Sequence, residues 1–320
     1  MCSLKENKMQ PRLSVNIGKL KLKNSVMVAS GTFGYAEEFR DFINLRSLGA
    51  VVTKTITLER CLGNPAPRTC ETPAGMLNSI GLENPGLDKF IKQKLPFLKK
   101  IGIPIIVSIA SQDDPGEFIA LAQRIDKIKE IAAIELNISC PNIRVTTSPR
   151  HHVTELISQD SQATYALVKS VRKVTKKTLI TKLSPNVTCI ADIAAAAERA
   201  GTDAVSLINT LTGMCIDIEK RRPKLTYTTG GLSGPAVRPV AVRMVWQVHQ
   251  KIKIPIIGMG GIMDASSALE FFLAGAAAIS VGTGNFVNPK VSIEIIAGVK
   301  EYLKKHNIGN IKNLIGSLKI

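Results

Sequence analysis

A single cysteine, Cys140, stands between two asparagines in the segment Asn137-Ile138-Ser139-Cys140-Pro141-Asn142. A cysteine side chain can act as a general base, and side-chain amides donate and accept hydrogen bonds side by side. Amides of this kind can hold a flat polar ring by its edges. The apolar run before Asn137 predicts a strand that opens into a loop here. We therefore expect a proton-abstracting site at the end of a strand.

The elements that must position this cysteine are short apolar runs that alternate with helix-like stretches. Eight such runs are mostly rich in β-branched residues, which is typical of strands buried on both faces. They cover residues 26–29, 50–53, 105–108, 134–137, 179–183, 204–208, 256–258 and 278–281. Helix-like stretches include residues 115–130, 161–176, 190–200, 236–251 and 265–274.

This alternation, repeated without a break in composition, predicts a single (β/α)8 TIM barrel of the α/β class over residues 11–320. A doubly wound open sheet is the alternative fold. We expect residues 1–10 to form a flexible tail and residues 13–15 and 20–22 to form an N-terminal β-hairpin. Two long connections, residues 55–86 and 211–234, carry glycine and proline turn signals and predict extra hairpins or loops over the C-terminal face. The polar segment 144–159 is expected to be mobile.

Polar residues gather at the predicted C-terminal ends of these strands, where the chemistry of such barrels lies. Lys54 and Lys182 each end an apolar strand, where a lysine is unfavourable unless it meets an anion or extends to solvent at the rim. Four amides could together contact the imide-like edge of a planar ring; they belong to Asn78, Asn137, Asn142 and Asn209.

Glycines end the last two strands, in Gly258-Met259-Gly260-Gly261 and Gly282-Thr283-Gly284. Glycines at this place let backbone N–H groups approach a phosphate. The spacing is not G-x-G-x-x-G, so a Rossmann dinucleotide site is not indicated. A flavin would match both features, because its phosphate suits the glycines and its ring edge, negative on reduction, suits the cation of Lys182.

The amino-acid composition disfavours several classes of protein. The 320 residues are 45% hydrophobic and carry a formal net charge of +17, with only 4% aromatic residues. Lysines spread over predicted helices with few aromatics indicate a solvated basic surface rather than a nucleic-acid site. Six cysteines without a C-x-x-C pair indicate neither a disulfide framework nor a metal site. No apolar run reaches the length of a membrane span, and the polar first ten residues favour a cytoplasmic protein.

Over almost its whole length the sequence resembles the catalytic subunit of class 1 dihydroorotate dehydrogenases. The matching segments are Ala29-Ser30-Gly31-Thr32-Phe33-Gly34-Tyr35, Gly63-Asn64-Pro65, Gly75-Met76-Leu77-Asn78-Ser79-Ile80-Gly81-Leu82, Asn137-Ile138-Ser139-Cys140-Pro141-Asn142, Lys182-Leu183-Ser184-Pro185-Asn186, Gly230-Gly231-Leu232-Ser233-Gly234 and Gly258-Met259-Gly260-Gly261. The residues in these segments are most similar to those of the NAD-linked type 1B branch.

The resemblance implies a cytoplasmic FMN enzyme of pyrimidine biosynthesis that oxidises dihydroorotate to orotate. Cys140 would take the C5 proton, and hydride would pass from C6 to FMN N5. The substrate would be held by Lys54, Asn78, Ser79, Ile80, Gly81, Leu82, Asn137, Asn142, Asn209 and Thr210. The cofactor would be held by Ser30, Lys54, Thr55, Asn137, Lys182, Ile208, Gly234, Gly260, Gly261, Gly282 and Thr283.

The resemblance also implies a homodimer that pairs with an electron-transfer subunit carrying FAD and a [2Fe–2S] cluster, giving a heterotetramer that passes electrons to NAD. Two features depart from that branch. The segment 143–159 lacks the glycines usual after the cysteine motif, and Ser108 stands where the branch has asparagine. Two alternatives remain open, a tRNA dihydrouridine synthase-like FMN enzyme and a non-catalytic orotate-binding barrel. The physiological electron acceptor also stays open between NAD, fumarate and a quinone.

Overall fold

The computed structural model describes residues 10–111, 114–139, 144–146 and 154–320 of the chain. Cys140 and Asn142 therefore lie outside the described residues, as do residues 1–9 of the expected tail. The described part has one contiguous hydrophobic core, formed by the barrel strands, the helices around them and the N-terminal segment. The single-domain boundary at residue 11 stays a prediction.

Strands and helices alternate through most of this part of the chain. The strands are β1 (Val15–Ile17), β2 (Leu20–Leu22), β3 (Val26–Val28), β4 (Ala50–Val52), β5 (Thr69–Thr72), β6 (Gly75–Asn78), β7 (Ile105–Ile109), β8 (Ile131–Asn137), β9 (Arg144–Thr146), β10 (Thr154–Leu156), β11 (Thr178–Lys182), β12 (Ala204–Leu207), β13 (Leu211–Gly213), β14 (Ile216–Asp217), β15 (Arg222–Pro223), β16 (Gly230–Ser233), β17 (Ile256–Gly258) and β18 (Ala278–Val281). The α-helices are α1 (Leu87–Lys89), α2 (Leu95–Ile101), α3 (Gly116–Asp126), α4 (Ser161–Val174), α5 (Ile190–Ala200), α6 (Arg238–His249), α7 (Ala265–Ala274), α8 (Gly284–Val287) and α9 (Val291–Lys305). A π-helical turn, Phe90–Lys94, joins α1 to α2.

Eight of these strands close into a parallel barrel. In chain order β3, β4, β7, β8, β11, β12, β17 and β18 each pair with the next, and β18 pairs back with β3. The predicted (β/α)8 TIM barrel is therefore confirmed, and the open-sheet alternative is wrong. Most barrel strands are buried along their whole length, which explains their continuous apolar runs.

The predicted element bounds differ from the structure mainly at their ends. The last two barrel strands and the helices α5 and α7 match the prediction, and the other barrel strands differ by one to three residues. The helix predicted over residues 115–130 was too long, since α3 ends at Asp126 and the chain then turns into β8. Asp264 is the N-cap of helix α7, and its carboxylate accepts a 2.7 Å hydrogen bond from the amide of Ser267. This N-cap fixes the loop that follows β17.

The N-terminal hairpin is present, but its first strand was placed wrongly. That strand covers Val15–Ile17 rather than residues 13–15, and Gly18 makes the turn with a φ of +56°. Burial alternates along both hairpin strands, so burying Val15 and Ile17 requires this register. A Cβ built on Gly18 would lie 2.7 Å from Cβ of Asp203. Asp203 directly precedes β12, so the hairpin packs against the N-terminal end of the barrel.

The two long connections meet over the C-terminal face, as predicted. Strands β5 and β6 come from the connection after β4, and β13 and β16 come from the connection after β12. Together they form one four-stranded antiparallel sheet in the order β13-β16-β6-β5, which we call the lid sheet. Strands β9 and β10 pair with each other in the segment expected to be mobile, and that mobility stays a prediction. No helix in the described ranges is long and apolar enough to cross a membrane.

The position of the hairpin predicts unequal effects of two glycine substitutions. Gly18→Ala and Gly102→Ala both place a side chain at positive φ, but a Cβ at Gly102 meets no atom within 4 Å. We expect Gly102→Ala to lower the free energy of unfolding by about 1 kcal/mol and Gly18→Ala by about 3 kcal/mol, because only the latter overlaps a packed neighbour. Urea unfolding followed by far-UV circular dichroism measures both. Equal losses would contradict the packing of Gly18 against Asp203.

Candidate active site

A network of hydroxyl and amide groups links the C-terminal ends of four neighbouring barrel strands. At its centre lies Thr55, whose Oγ1 is 3.0 Å from Oγ of Ser30 and 3.1 Å from Oγ of Ser108. The amide of Asn137 donates a 3.2 Å hydrogen bond to the same Oγ1. These residues lie at or near the ends of β3, β4, β7 and β8, and parallel strands bring such ends to one rim.

The same network fixes the orientation of the Asn137 side chain, which is only 8% exposed. Its Oδ1 accepts hydrogen bonds from Oγ of Ser139 at 2.8 Å and from Nδ2 of Asn209 at 3.3 Å. Asn209 Nδ2 also contacts Oγ of Ser139, and Asn209 Oδ1 accepts a 2.8 Å bond from the amide of Thr210. Because both ends of the Asn137 amide are held, its remaining donor and acceptor capacity has a defined direction. The site therefore offers a preset polar edge to a ligand.

Lys182 is buried at the end of β11, beside this network. Its side chain is 5% exposed, and its backbone pairs with Asn137 on one side and Ser206 on the other. Within the described ranges its side-chain nitrogen has neither a hydrogen bond nor an ion pair. A lysine that is only 5% exposed, and whose side-chain nitrogen has no protein partner, is unfavourable unless a ligand supplies one. The arrangement favours an anionic or strongly polar ligand beside Lys182.

Lys54 belongs to a second charged cluster, on the side of the first long connection. The pKa of the Lys54 ammonium is lowered, mainly because the group is buried. Arg68 lowers this pKa further, whereas the carboxylates of Glu83 and Glu38 oppose the change. Arg68 Nη2 lies 2.5 Å from Oε2 of Glu83, so this carboxylate already has an ion-pair partner. Burial, with Glu38 and Glu83, raises the pKa of the Tyr35 phenol. Lys54 therefore carries a charge that an incoming carboxylate could stabilise better than the present neighbours do.

The glycine-rich strand ends form a separate, tightly packed edge. Gly261 has a φ of +73°, and a Cβ there would lie 2.8 Å from the carbonyl oxygen of Gly234 and 2.9 Å from the amide of Arg238. A Cβ on Gly260 would lie 3.2 Å from Cγ1 of Ile208, so these residues adjoin each other. By contrast, a Cβ on Gly282 would find its nearest neighbour at 3.8 Å. The backbone beside Gly282 is thus open to a ligand, as a phosphate site requires.

Thr283 connects this glycine edge to the lid sheet. Its Oγ1 donates a 2.8 Å hydrogen bond to Oγ of Ser233, which ends β16. The predicted cofactor residues therefore form two groups at one rim. Ser30, Thr55 and Asn137 belong to the hydroxyl and amide network, whereas Ile208, Gly234, Gly260 and Gly261 belong to the glycine edge with Thr283.

The substrate residues predicted in the first long connection belong to the lid. Asn78 donates a 3.3 Å hydrogen bond to the carbonyl of Gly231 across the lid sheet, rather than to the amides of the strand ends. The following segment is anchored by Asn64, which donates to the carbonyl of Ser79 at 2.9 Å and to its Oγ at 3.0 Å. Asn84 accepts from and donates to the backbone around it, including a 2.7 Å bond to the carbonyl of Leu82. Residues 79–82 are thus held in a fixed backbone shape.

Several residues of these networks were not among the predicted site residues. They are Asn64, Asn84, Ser108, Ser139 and Asn186. Asn186 donates a 3.1 Å bond to the carbonyl of Thr210 and accepts a 2.9 Å bond from the amide of Thr212. A signal was present for most of them, because asparagine and serine recur in the same short segments as the predicted residues. Sequence alone did not separate ligand-facing amides from amides that brace the backbone.

The central position of Thr55 predicts different effects of two substitutions. Thr55→Val keeps the shape but removes the only atom that bonds Ser30, Ser108 and the Asn137 amide together. We expect a loss of about 2 kcal/mol in the free energy of unfolding, because a buried amide hydrogen is left unpaired. Thr55→Ser keeps the hydroxyl and should lose about 1 kcal/mol, for the missing methyl group alone. Guanidinium unfolding measures both, and a Val variant no less stable than the Ser variant would contradict the role of the hydroxyl.

Comparisons with known proteins agree with this geometry. Residues 12–303 match the family model described as dihydroorotate dehydrogenase. Proteins named dihydroorotate dehydrogenase B (NAD(+)), catalytic subunit, are 52% identical in Trichlorobacter lovleyi and 49% identical in Bacteroides thetaiotaomicron. The alignments cover 97% and 96% of this chain and 99% of each relative. A relative of the same name from Geotalea daltonii is 52% identical over 313 residues. The expected family is confirmed, and the chain belongs to the dihydroorotate dehydrogenase family.

Proposed function

We propose that this chain oxidises dihydroorotate to orotate with bound FMN, as the catalytic subunit of an NAD-linked enzyme. The observation that carries the proposal is the buried, unpartnered Lys182 beside the fixed Asn137 amide. Such a pair suits a flat ring that gains negative charge on one edge. Membership of the dihydroorotate dehydrogenase family supplies the substrate class.

The residues present fit FMN at three places. Gly282 leaves open backbone at the end of β18, where a phosphate can approach. Ser30, Thr55 and Asn137 present hydroxyl and amide groups along one side of the rim. Lys182 provides the cation. When bound, FMN supplies an acceptor for a hydride.

On the substrate side, this chain's residues bind the anion and move a proton. We assign Lys54 to the substrate carboxylate, and Asn78, Asn137, Asn142 and Asn209 to its polar ring edges. Residues 79–82 would support the substrate through their backbone. We assign Cys140 as the base that takes the C5 proton. Cys140 and Asn142 lie outside the described residues, so these two roles depend on the sequence and the resemblance.

The electron acceptor and the assembly are also part of the proposal. The relatives are named as catalytic subunits of NAD-linked enzymes, which supports a partner subunit here. We propose FAD and a [2Fe–2S] cluster on that partner, with a homodimer of this chain at the centre of a heterotetramer. A cytoplasmic location remains a prediction from the sequence. No observation on the described residues favours the tRNA enzyme or the non-catalytic barrel over this reading.

The first test of this function is optical. The purified chain should be yellow, and anaerobic dihydroorotate should bleach it. Cys140→Ser should slow that bleaching by about 100-fold or more while the yellow colour remains, because a hydroxyl is a far weaker base than a thiolate. Cys189→Ser, which changes an exposed cysteine, serves as the control. Unchanged bleaching in Cys140→Ser would remove this residue as the base, and a protein that cannot bind FMN would contradict the function.

The lowered pKa of Lys54 predicts the alkaline limb of the pH profile. A carboxylate ligand prefers the protonated lysine, and burial makes Lys54 lose its proton at a lower pH than the ordinary value of 10.5. We expect KM for dihydroorotate to increase as the pH rises, and this increase should begin at a pH lower than 10.5. Over the same range kcat should increase as the thiol ionises. Lys54→Arg keeps its charge at every accessible pH. Its KM should therefore stay flat where the wild-type KM rises; an identical rise in both proteins would exclude Lys54 as its cause.

A further inference from the structure

One acidic and one basic side chain are buried on neighbouring strands of the barrel. Among the described residues Glu135 is the only buried aspartate or glutamate, at 2% exposure, and Lys182 is the only buried lysine or arginine, at 5%. Glu135 lies on β8, and Lys182 ends β11, the next strand of the barrel. Charged side chains are almost never fully buried unless they are paired. Two of them on adjacent strands indicate that the burial of one depends on the other.

The strand register places both side chains on the inner face of the barrel. Asn137 pairs with Lys182, and Lys182 pairs with Ser206 on β12. Glu135 comes two residues before Asn137 on β8. Paired residues of parallel strands, and residues two apart on one strand, point to the same face of a sheet. Because Asn137 bonds to Thr55 across the mouth of the barrel, this face is the inner one.

The Glu135 carboxylate crosses β11 below Lys182, on the side away from the rim. Its Oε2 accepts a 3.0 Å hydrogen bond from Oγ of Ser206, which lies beyond β11 on β12. Glu135 pairs with Ile180 on β11. Ser206 pairs with Lys182, two residues further along the same strand, so the hydrogen bond passes β11 between these two side chains. The carboxylate therefore adjoins the Lys182 side chain.

The two charged groups are neighbours without a direct ion pair. Oε1 of Glu135 is buried and has no hydrogen-bond partner in the described chain, and Nζ of Lys182 has none there either. Opposite charges attract each other strongly in a medium of low dielectric constant, so each lowers the cost of burying the other. The carboxylate thus offsets part of the cost of burying the ammonium, while the donors of the ammonium stay free for a ligand at the rim.

We propose that Glu135 is a positioning residue that acts through Lys182 and sets the charge beside the FMN ring. The inference rests on the proposed function, because it takes Lys182 as the cation next to the ring edge that becomes negative on reduction. A lone ammonium there would stabilise the reduced ring strongly and so hold its electrons. The carboxylate below it weakens the positive field at the ring, so that electrons pass more easily to the acceptor.

The reduction potential of bound FMN tests this role. Glu135→Gln keeps the shape of the side chain and an acceptor for Ser206 but removes the charge. We expect the ratio of reduced to oxidised FMN, at a fixed potential and pH, to rise by about tenfold or more, which is an upward shift of about 30 mV for a two-electron couple. Anaerobic equilibration with a reference dye measures this ratio.

Glu301→Gln is the matched control, since it removes the same charge from an exposed position on α9. Salt screens such a surface charge, so the ratio should change by about twofold at most. An unchanged potential in Glu135→Gln would overturn the proposal, even if the variant bound FMN less tightly or unfolded more easily. That result would leave the carboxyl group with a structural role alone. A downward shift would overturn it as well, because loss of a negative charge must favour a negative ring.

Infrared spectroscopy of the FMN-free wild-type chain tests the charge itself and needs no variant. Exposed carboxyl groups are ionised at about pH 7, so a protonated-carboxyl band at that pH comes from a buried group. Glu135 is that group among the described residues. We expect no such band in protein labelled with carbon-13 at the glutamate side chains. Its presence would show a neutral Glu135 and overturn the proposal. A chain without the band that binds no FMN would contradict the proposed function and keep the charged pair.

Discussion

Closure of the parallel barrel is the constraint on which the rest of the structure depends. Each barrel strand pairs in parallel with its neighbours, and β18 pairs back with β3, so all eight strands end at the same rim. Residues that are far apart in sequence, such as Ser30, Asn137 and Asn209, become neighbours only through that closure. The hairpin at the opposite end packs apolar side chains against the strand starts, so the two ends differ in polarity: one is sealed and the other is polar.

The polar rim is unfavourable for the folded chain unless its groups are paired, and the structure pairs most of them. Thr55 shares one hydroxyl among three partners, and the Asn137 amide is held at both ends. Each such buried group would otherwise lower stability by about 1–3 kcal/mol. Lys182 is a cation at a strand end whose side chain has no partner among the described residues, although the residue is only 5% exposed. A cation without a protein partner at this rim favours an anionic or strongly polar ligand.

The lid adds a second level of organisation, built from two connections instead of one. Asn78 bonds to Gly231 across the lid sheet, and Thr283 bonds to Ser233, so the lid is tied both within itself and to the end of β18. A movement of one connection must therefore act on the other.

Much of this architecture could be predicted from the sequence, because apolar runs and glycine turns report local preferences. The eight strands, the two hairpin-bearing connections and the polar strand ends followed from such patterns, whereas the family was expected from the resemblance of the ordered segments. The register of β1 did not, since burial of Ile17 depends on the barrel end against which it packs. Likewise, the same residue type can brace a loop, as Asn64 and Asn84 do, or offer its amide at the rim, as Asn137 does. Residue identity and order by themselves determined the fold class and the chemistry available. Only the tertiary structure decided which amides are consumed by the backbone, and that the Lys182 side chain has no partner in the described chain, because those facts are distances between strands that the sequence keeps far apart.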